Sequence, residues 1–267
     1  MDLLSLLSAV TVLNRDDGER FLVTDRLDAV SSLLAGSRFR RVEAPGLFHL
    51  YAERDPAMLT GRSVIVVSSH VDCEAGITGC FSREEGKDTL LGTYDNAITN
   101  AAIVWLMLSD RLRDDVIVAF TGDEEAGCAG AADLARFLRE RQIRVRHLFV
   151  LDVTDMAWGD KADFTIENNF WHDDFGKKIV SAAEGFPWTW RFVPSDPARV
   201  PAFVRKDNLI SAEATEDESW CYDEHGINCC SVCLPVRGPM HSDRCVKARK
   251  ASLFHYTEAL GRLLELR

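Results

Sequence analysis

Two histidines and a small set of carboxylates stand where they could hold metal ions. His70 and Asp72 form a His-x-Asp directly after the run SVIVVSS (residues 63–69), so His70 could ligate a cation while Asp72 steadies its opposite ring nitrogen. Glu124 and Glu125 follow VIVAFTGD; one of two adjacent carboxylates can bind a metal while its neighbour takes a proton from water. The same pair also reads as a plain helix start, where partial positive charge favours acids. Asp95 lies in GTYDNAITNAA (residues 92–102), either as a helix cap or as a carboxylate whose two oxygens bridge cations about 3.5 to 4 Å apart. Asp152 closes HLFVLD, and His241 comes shortly after SVCLPVRGPM. Two histidines and three carboxylates as ligands, with one carboxylate to spare, suit Zn²⁺, with Mn²⁺ or Co²⁺ as substitutes.

What must position them is a set of buried strands. Short β-branched runs at residues 63–69, 116–121 and 147–152, with a fourth at 228–236, alternate with helical patterns at 96–112, 129–141, 175–184 and 246–266. This alternation predicts an α/β fold, a mixed but mostly parallel central sheet with helices on both faces. In such a sheet the carboxyl ends of the strands border one crevice, and each of the four runs ends in or just before a candidate ligand. Residues 38–55 read as a hairpin broken at Pro45-Gly46, an antiparallel edge, and the apolar run at 3–13 as a buried helix face. Residues 187–218, rich in Pro, Asp and Glu, read as loop bordering the site.

The order HVD, GTYDN, FTGDEEAG, VLDVTD, LPVRGPMHS resembles the zinc-dependent exopeptidase superfamily, which includes aminopeptidases, glutamate carboxypeptidases and aminoacylases. The resemblance spans roughly residues 60 to 250 and implies the phosphorylase/hydrolase-like aminopeptidase fold. It implies two zincs per chain, one held by His70 and Asp152, the other by Glu125 and His241, with Asp95 bridging. It further implies Glu124 as general base, Asp72 behind His70, a cis peptide between Asp95 and Asn96, and hydrolysis of a terminal amide bond, an aminopeptidase before a carboxypeptidase or an N-acyl amino acid deacylase. Relatives carry inserted lid or dimerisation domains; the spacings from His70 to Asp95 and from Asp152 to His241 are too short for one, so residues 1–267 are expected to be a single catalytic domain. The run HSDRCVKAR after His241 departs from the Pro and Glu found in relatives, which leaves the subfamily open.

Arg237, four residues before His241, is a candidate cation for a substrate carboxylate, and His172, beside Trp171, a candidate substrate contact. Thirty-one basic against forty-two acidic residues give a net charge of −11 with no basic block, which argues against nucleic acid and anionic membranes as partners. No apolar run is long enough to span a bilayer, and the N-terminus lacks the basic start and cleavage site of a signal peptide. Eight cysteines in a chain this large fit a reducing cytoplasm better than a disulfide framework. Cys229, Cys230 and Cys233, with Cys221 and Cys245 nearby, could be read as a structural zinc site, but strand alternation would point neighbours to opposite faces, and small core hydrophobes are the simpler reading. A relative that kept the fold and lost catalysis is the remaining alternative, which metal content distinguishes; an assembly of identical chains is compatible with the sequence.

Overall fold

The β-branched runs form the middle of the molecule. In the computed structural model, which describes residues 1–13, 25–53, 59–74, 76–241 and 244–267, they are β3 (Ser63–His70), β6 (Val116–Thr121), β7 (Arg144–Thr154) and β10 (Cys229–Arg237). They lie side by side in the order β6-β3-β7-β10, and every neighbouring pair is parallel. From Val64 to His70 and from Val116 to Thr121 every residue is buried, which is why these segments read as unbroken apolar runs and not as alternation.

Antiparallel strands extend this core. β1 (Arg40–Val42) and β2 (Phe48–Ala52) form the hairpin expected around Pro45-Gly46, and β2 pairs with β6; the last two residues of the predicted 38–55 segment lie outside the described residues. Beside β10 lies β8 (Phe164–Phe170), antiparallel to it, followed by β9 (Trp190–Val193). The end of β10 also pairs with β11 (Val246–Arg249), which continues through β5 (Thr89–Gly92) to β4 (Ser82–Glu85).

Helices cover both faces, and their sequences show which layer each occupies. On one side α3 (Ala97–Leu108) packs against β3 and β7 while α1 (Leu3–Val10), α2 (Asp25–Leu34) and α8 (Lys250–Leu263) pack on it from outside. A helix held on all sides needs apolar residues all round, and AITNAAIVWLML supplies them. On the other side α5 (Ala129–Glu140) is amphipathic: Ala131, Leu134, Ala135 and Leu138 face inward, and Phe137 meets Phe48 edge-on at 5.6 Å. It packs beside α7 (Glu218–Glu224), and α6 (Phe175–Glu184) packs on α8.

Three expectations shift. The C-terminal helix begins at Lys250 and not at Val246, because Val246, Lys247, Ala248 and Arg249 alternate in burial and form β11 on β5. α3 stops at Leu108, four residues early, where Ser109 and a left-handed Asp110 (φ 55°) end it. Residues 187–218 are loop for most of their length but contain β9 and two short 3-10 turns. No helix among the described residues is long and apolar enough to cross a membrane.

Candidate metal centre

Parallel pairing brings the carboxyl ends of β3, β6, β7 and β10 to one edge. His70, the last residue of β3, sits opposite Thr121 of β6; Ser69 is opposite Leu151, and Asp152 opposite Cys233 of β10. Asp152 does not close its strand, as the sequence suggested; β7 runs on to Thr154. Asp95 lies two residues before α3, and the bond between Asp95 and Asn96 is cis, as the resemblance implied. Glu124 and Glu125 open α4 (Glu124–Gly127), and the preceding Asp123 stands in a left-handed conformation without capping it.

That turn is clamped by backbone. Gly122 N–H donates to the Leu47 carbonyl and Gly130 N–H to the Gly122 carbonyl, each at 3.0 Å. A Cβ on Gly130 would lie 2.5 Å from both carbonyl oxygens, so there is no room for one. Gly130→Ala is expected to destabilise the chain by about 1 to 3 kcal/mol and to lower turnover by displacing Glu124 and Glu125. Denaturant unfolding beside initial rates checks this; wild-type values for both would contradict the clamp.

The candidate ligands meet in two groups that share Asp95. His70 Nε2 is 3.0 Å from Asp95 Oδ1 and 3.7 Å from Asp152 Oδ1. His241 Nε2 is 3.4 Å from Asp95 Oδ2 and 3.7 Å from Glu125 Oε2. One oxygen of Asp95 therefore faces each histidine. Ligand atoms of His70, Asp95 and Glu125 all lie within 4.8 Å of one another. Asp72 faces the other side of the His70 ring, Oδ1 to Nδ1 at 3.3 Å, while its Oδ2 accepts the Glu125 N–H at 3.1 Å. One carboxylate thus ties together the strand end that carries His70 and the turn that carries Glu125.

The electrostatics of this cluster fit divalent cations. Burial, then the Asp95 charge, pushes Glu125 up to about 8, and burial, with Asp152, Glu218 and Glu125 adding to it, pushes Glu124 up to about 9. Burial raises Asp152 to about 6 against the pull of His70. Burial also opposes Asp95, but hydrogen bonds from His241 and His70 outweigh it and hold its carboxyl well below the usual range. The hydrogen bond to Asp95 raises His241 to about 9. Glu125 Oε1 is buried with no hydrogen-bond partner. Left to themselves these groups need protons to coexist; hard-to-borderline cations replace those protons and satisfy the orphaned oxygen.

Known proteins are similar in the same way. Residues 54–186 match Peptidase family M28. Over this segment, just under half of its length, the chain is similar to peptidases of that family. The M28 segment holds His70, Asp72, Asp95, Glu124, Glu125 and Asp152, whereas His241 joins them from beyond it. Among solved structures, an aminopeptidase from the archaeon Desulfurococcus kamchatkensis superposes with a TM-score of 0.70 at 12% identity, covering 99% of this chain and 95% of its own. A TET aminopeptidase from a marine sediment Thaumarchaeota archaeon gives 0.70 at 9% identity over 98% and 96%. A Pyrococcus horikoshii TET1 peptidase, which can assemble into a tetrahedron or a large octahedral shell, gives 0.68 at 12% over 99% and 100%. At these identities the likeness is one of fold. No curated protein matches the chain in sequence.

Beside the centre lies a cavity of about 380 Å³, lined by further carboxylates besides the expected ones. Glu74, Asp155, Glu167, Glu216 and Asp217 line it together with Asp95, Glu124, Glu125, Asp152 and His241, and among the described residues no lysine or arginine does. Glu167 comes from β8, and Glu216 and Asp217 from the loop before α7, so residues 187–218 do border the site. Burial raises Glu167 to about 8. β8 lacks the long β-branched run that marked the other strands, and loop carboxylates carry no period; only the surplus of acids in 213–218 (EATEDE) hinted at them. The two proposed substrate residues are elsewhere. Arg237 is exposed at the end of β10, and His172 pairs with Asp223 at 3.0 Å with 53% of its side chain exposed; neither lines the cavity. Cys229 and Cys230 are buried in β10, where Cys230 Sγ meets His147 Nε2 at 3.3 Å, and no group of three close metal-binding side chains among the described residues contains a cysteine. Of the run HSDRCVKAR, Ser242 and Asp243 lie outside the described residues.

Proposed function

We propose that the chain is a two-zinc aminopeptidase acting as one catalytic domain. The observation that carries this is the charge of the cavity: five carboxylates beyond the ligand set and Glu124, with no lysine or arginine facing them among the described residues. A free α-amine is favoured there and a free carboxylate repelled, which disfavours a carboxypeptidase or a deacylase of N-acyl amino acids.

His70 and Asp152 would hold one cation, Glu125 and His241 the other, and Asp95 both. When bound, a zinc pair, or manganese or cobalt in its place, supplies the Lewis acidity that polarises the scissile carbonyl and acidifies water. The protein does the rest. Glu124 accepts the proton of the attacking water on its carboxylate and returns it to the leaving amine nitrogen. Asp72 fixes the ring of His70 and the amide of Glu125. The acidic wall of Glu167, Asp217 and Glu216 holds the substrate's ammonium so that its first peptide bond lies against the centre.

Eight cysteines without a disulfide support a reducing compartment such as the cytoplasm. The likeness to a chain that builds closed shells supports a homo-oligomer. Aminoacyl anilides assayed beside N-acyl amino acids, with and without a chelator, test the substrate class. The anilides are expected to be cleaved, with rates abolished by chelation and restored by zinc; preferential cleavage of the N-acyl amino acids would overturn the reading.

A further inference from the structure

When two dications fill the centre, their charge is matched by Asp95, Glu124, Glu125 and Asp152. Five carboxylates of the same cavity, Glu74, Asp155, Glu167, Glu216 and Asp217, stand outside that balance, and among the described residues no lysine or arginine lines the cavity to offset them. The α-ammonium of a peptide brings one positive charge. One ammonium also cannot reach the whole wall. β7, β10 and β8 are successive neighbours, with Asp152 opposite Cys233 and Cys233 opposite Thr165. At about 4.8 Å between strands, the end of β7, which Asp155 follows, is about 10 Å from β8, which carries Glu167.

The most buried of these acids has the greatest need of a counter-charge. Glu167 is 2% exposed; Thr165 Oγ–H donates to its Oε1 at 2.5 Å, and burial pushes the carboxyl up. Asp217, 9% exposed, is already engaged, accepting hydrogen bonds from the Ser219 amide and hydroxyl at the start of α7. A further metal ion does not fit this part of the cavity. Among the described residues the groups of three metal-binding side chains close enough to grip one cation are His70 with Asp95 and Glu125, and Glu74 with Glu125 and His241. Neither includes Asp155, Glu167, Glu216 or Asp217. Acids too widely spread for one ion, with Val153, Cys233 and Met240 on the same wall, suit a cation carried at the end of an apolar stem.

We propose that the cavity selects peptides whose first residue is lysine or arginine, with Glu167 receiving the side-chain cation. The wall then holds two cations in place of one: the side chain at its β8 end on Glu167, and the α-ammonium on Asp217 and Glu216. The aliphatic stem lies along Val153, Cys233 and Met240. A neutral first residue leaves the buried Glu167 without a counter-charge, and an acidic one is repelled. The inference rests on the aminopeptidase reading and narrows its substrate class.

Zinc-loaded full-length protein is assayed on the anilides of lysine, arginine, norleucine, leucine and glutamate. Norleucine is lysine without its ammonium, so the pair isolates the charge. For lysine and arginine, kcat/KM is expected to exceed that for norleucine and leucine about tenfold or more, because a site built for a charged group rejects the analogue lacking it. The excess should shrink as salt screens the charge, and glutamate should be slowest. In Glu167→Gln the lysine-to-norleucine ratio is expected to fall to about threefold or less. Norleucine cleaved as fast as lysine by the unaltered protein overturns the inference, needs no variant to fold, and leaves the aminopeptidase reading standing. A folded Glu167→Gln protein that keeps the full ratio removes Glu167 from the selection. If none of the anilides is cleaved, the aminopeptidase reading fails and takes the inference with it.

Discussion

Glu124→Gln is expected to bind its full complement of metal and to lose about 10²- to 10⁴-fold in turnover. Glu124 lines the cavity and stands beside the proposed ligands Asp152 and Glu125 without belonging to either group of ligand contacts around Asp95. Burial and those neighbouring acids make its carboxyl an avid proton acceptor. Glutamine keeps the shape and the side-chain length but cannot take a proton, so the variant separates proton transfer from architecture. Metal analysis by plasma emission, beside rates on an aminoacyl anilide, reads both halves. A variant with normal turnover removes Glu124 from the chemistry; one that has lost its metal reassigns it as a ligand.

How much of this was legible in the sequence follows from how each element is stabilised. The four central strands are buried on both faces, so their apolar runs are continuous, and three of the four boundaries fell within about a residue or two of the observed ones; β7 alone ran longer at both ends. α5 and α6 present one apolar face and were read nearly to the residue. What escaped were elements whose stability comes from neighbours. β4 (SREE) is nearly all exposed and exists because β5 pairs with it, while β11 hid its period of two inside a longer helical pattern. Tertiary pairing decides such segments, and a single sequence holds no trace of the partner.

The site divides along the same line. His70, Glu124, Glu125 and Asp152 were legible because parallel strands carry their own carboxyl ends to one edge, a rule that needs only strand direction. Asp95 and His241 lie in connections, and for them the motif order carried the expectation. Within the acidic wall, Glu167 was invisible for a physical reason: it reaches the cavity because β8 runs antiparallel beside β10, and nothing local to ENNF announces that neighbour. Arg237 and His172 illustrate the converse. Nearness in sequence to His241 or to an aromatic residue does not fix which way a side chain faces, and both ended in solvent-facing positions.

Asp95→Asn is the substitution that tests the shared centre most directly. Asp95 presents one oxygen to His70 and the other to His241, at 3.0 and 3.4 Å, and its side chain is 7% exposed. Asparagine fits the same space and leaves the backbone carbonyl that Arg26 touches in place, but it offers one acceptor and one NH₂ group. Whichever way the amide turns, one of the two histidines faces a donor, and the negative charge that both cations would share is gone. Metal content should therefore fall from about two per chain to about one or fewer, and turnover by roughly 10² to 10³ or more. Arg237→Ala and His172→Ala, which alter exposed side chains away from the cavity, should keep both metal and rate. If instead Asp95→Asn retained two metals and wild-type turnover, a shared carboxylate would not be what joins the two halves of the centre; each cation would then have to be held by its own pair, His70 with Asp152 and Glu125 with His241.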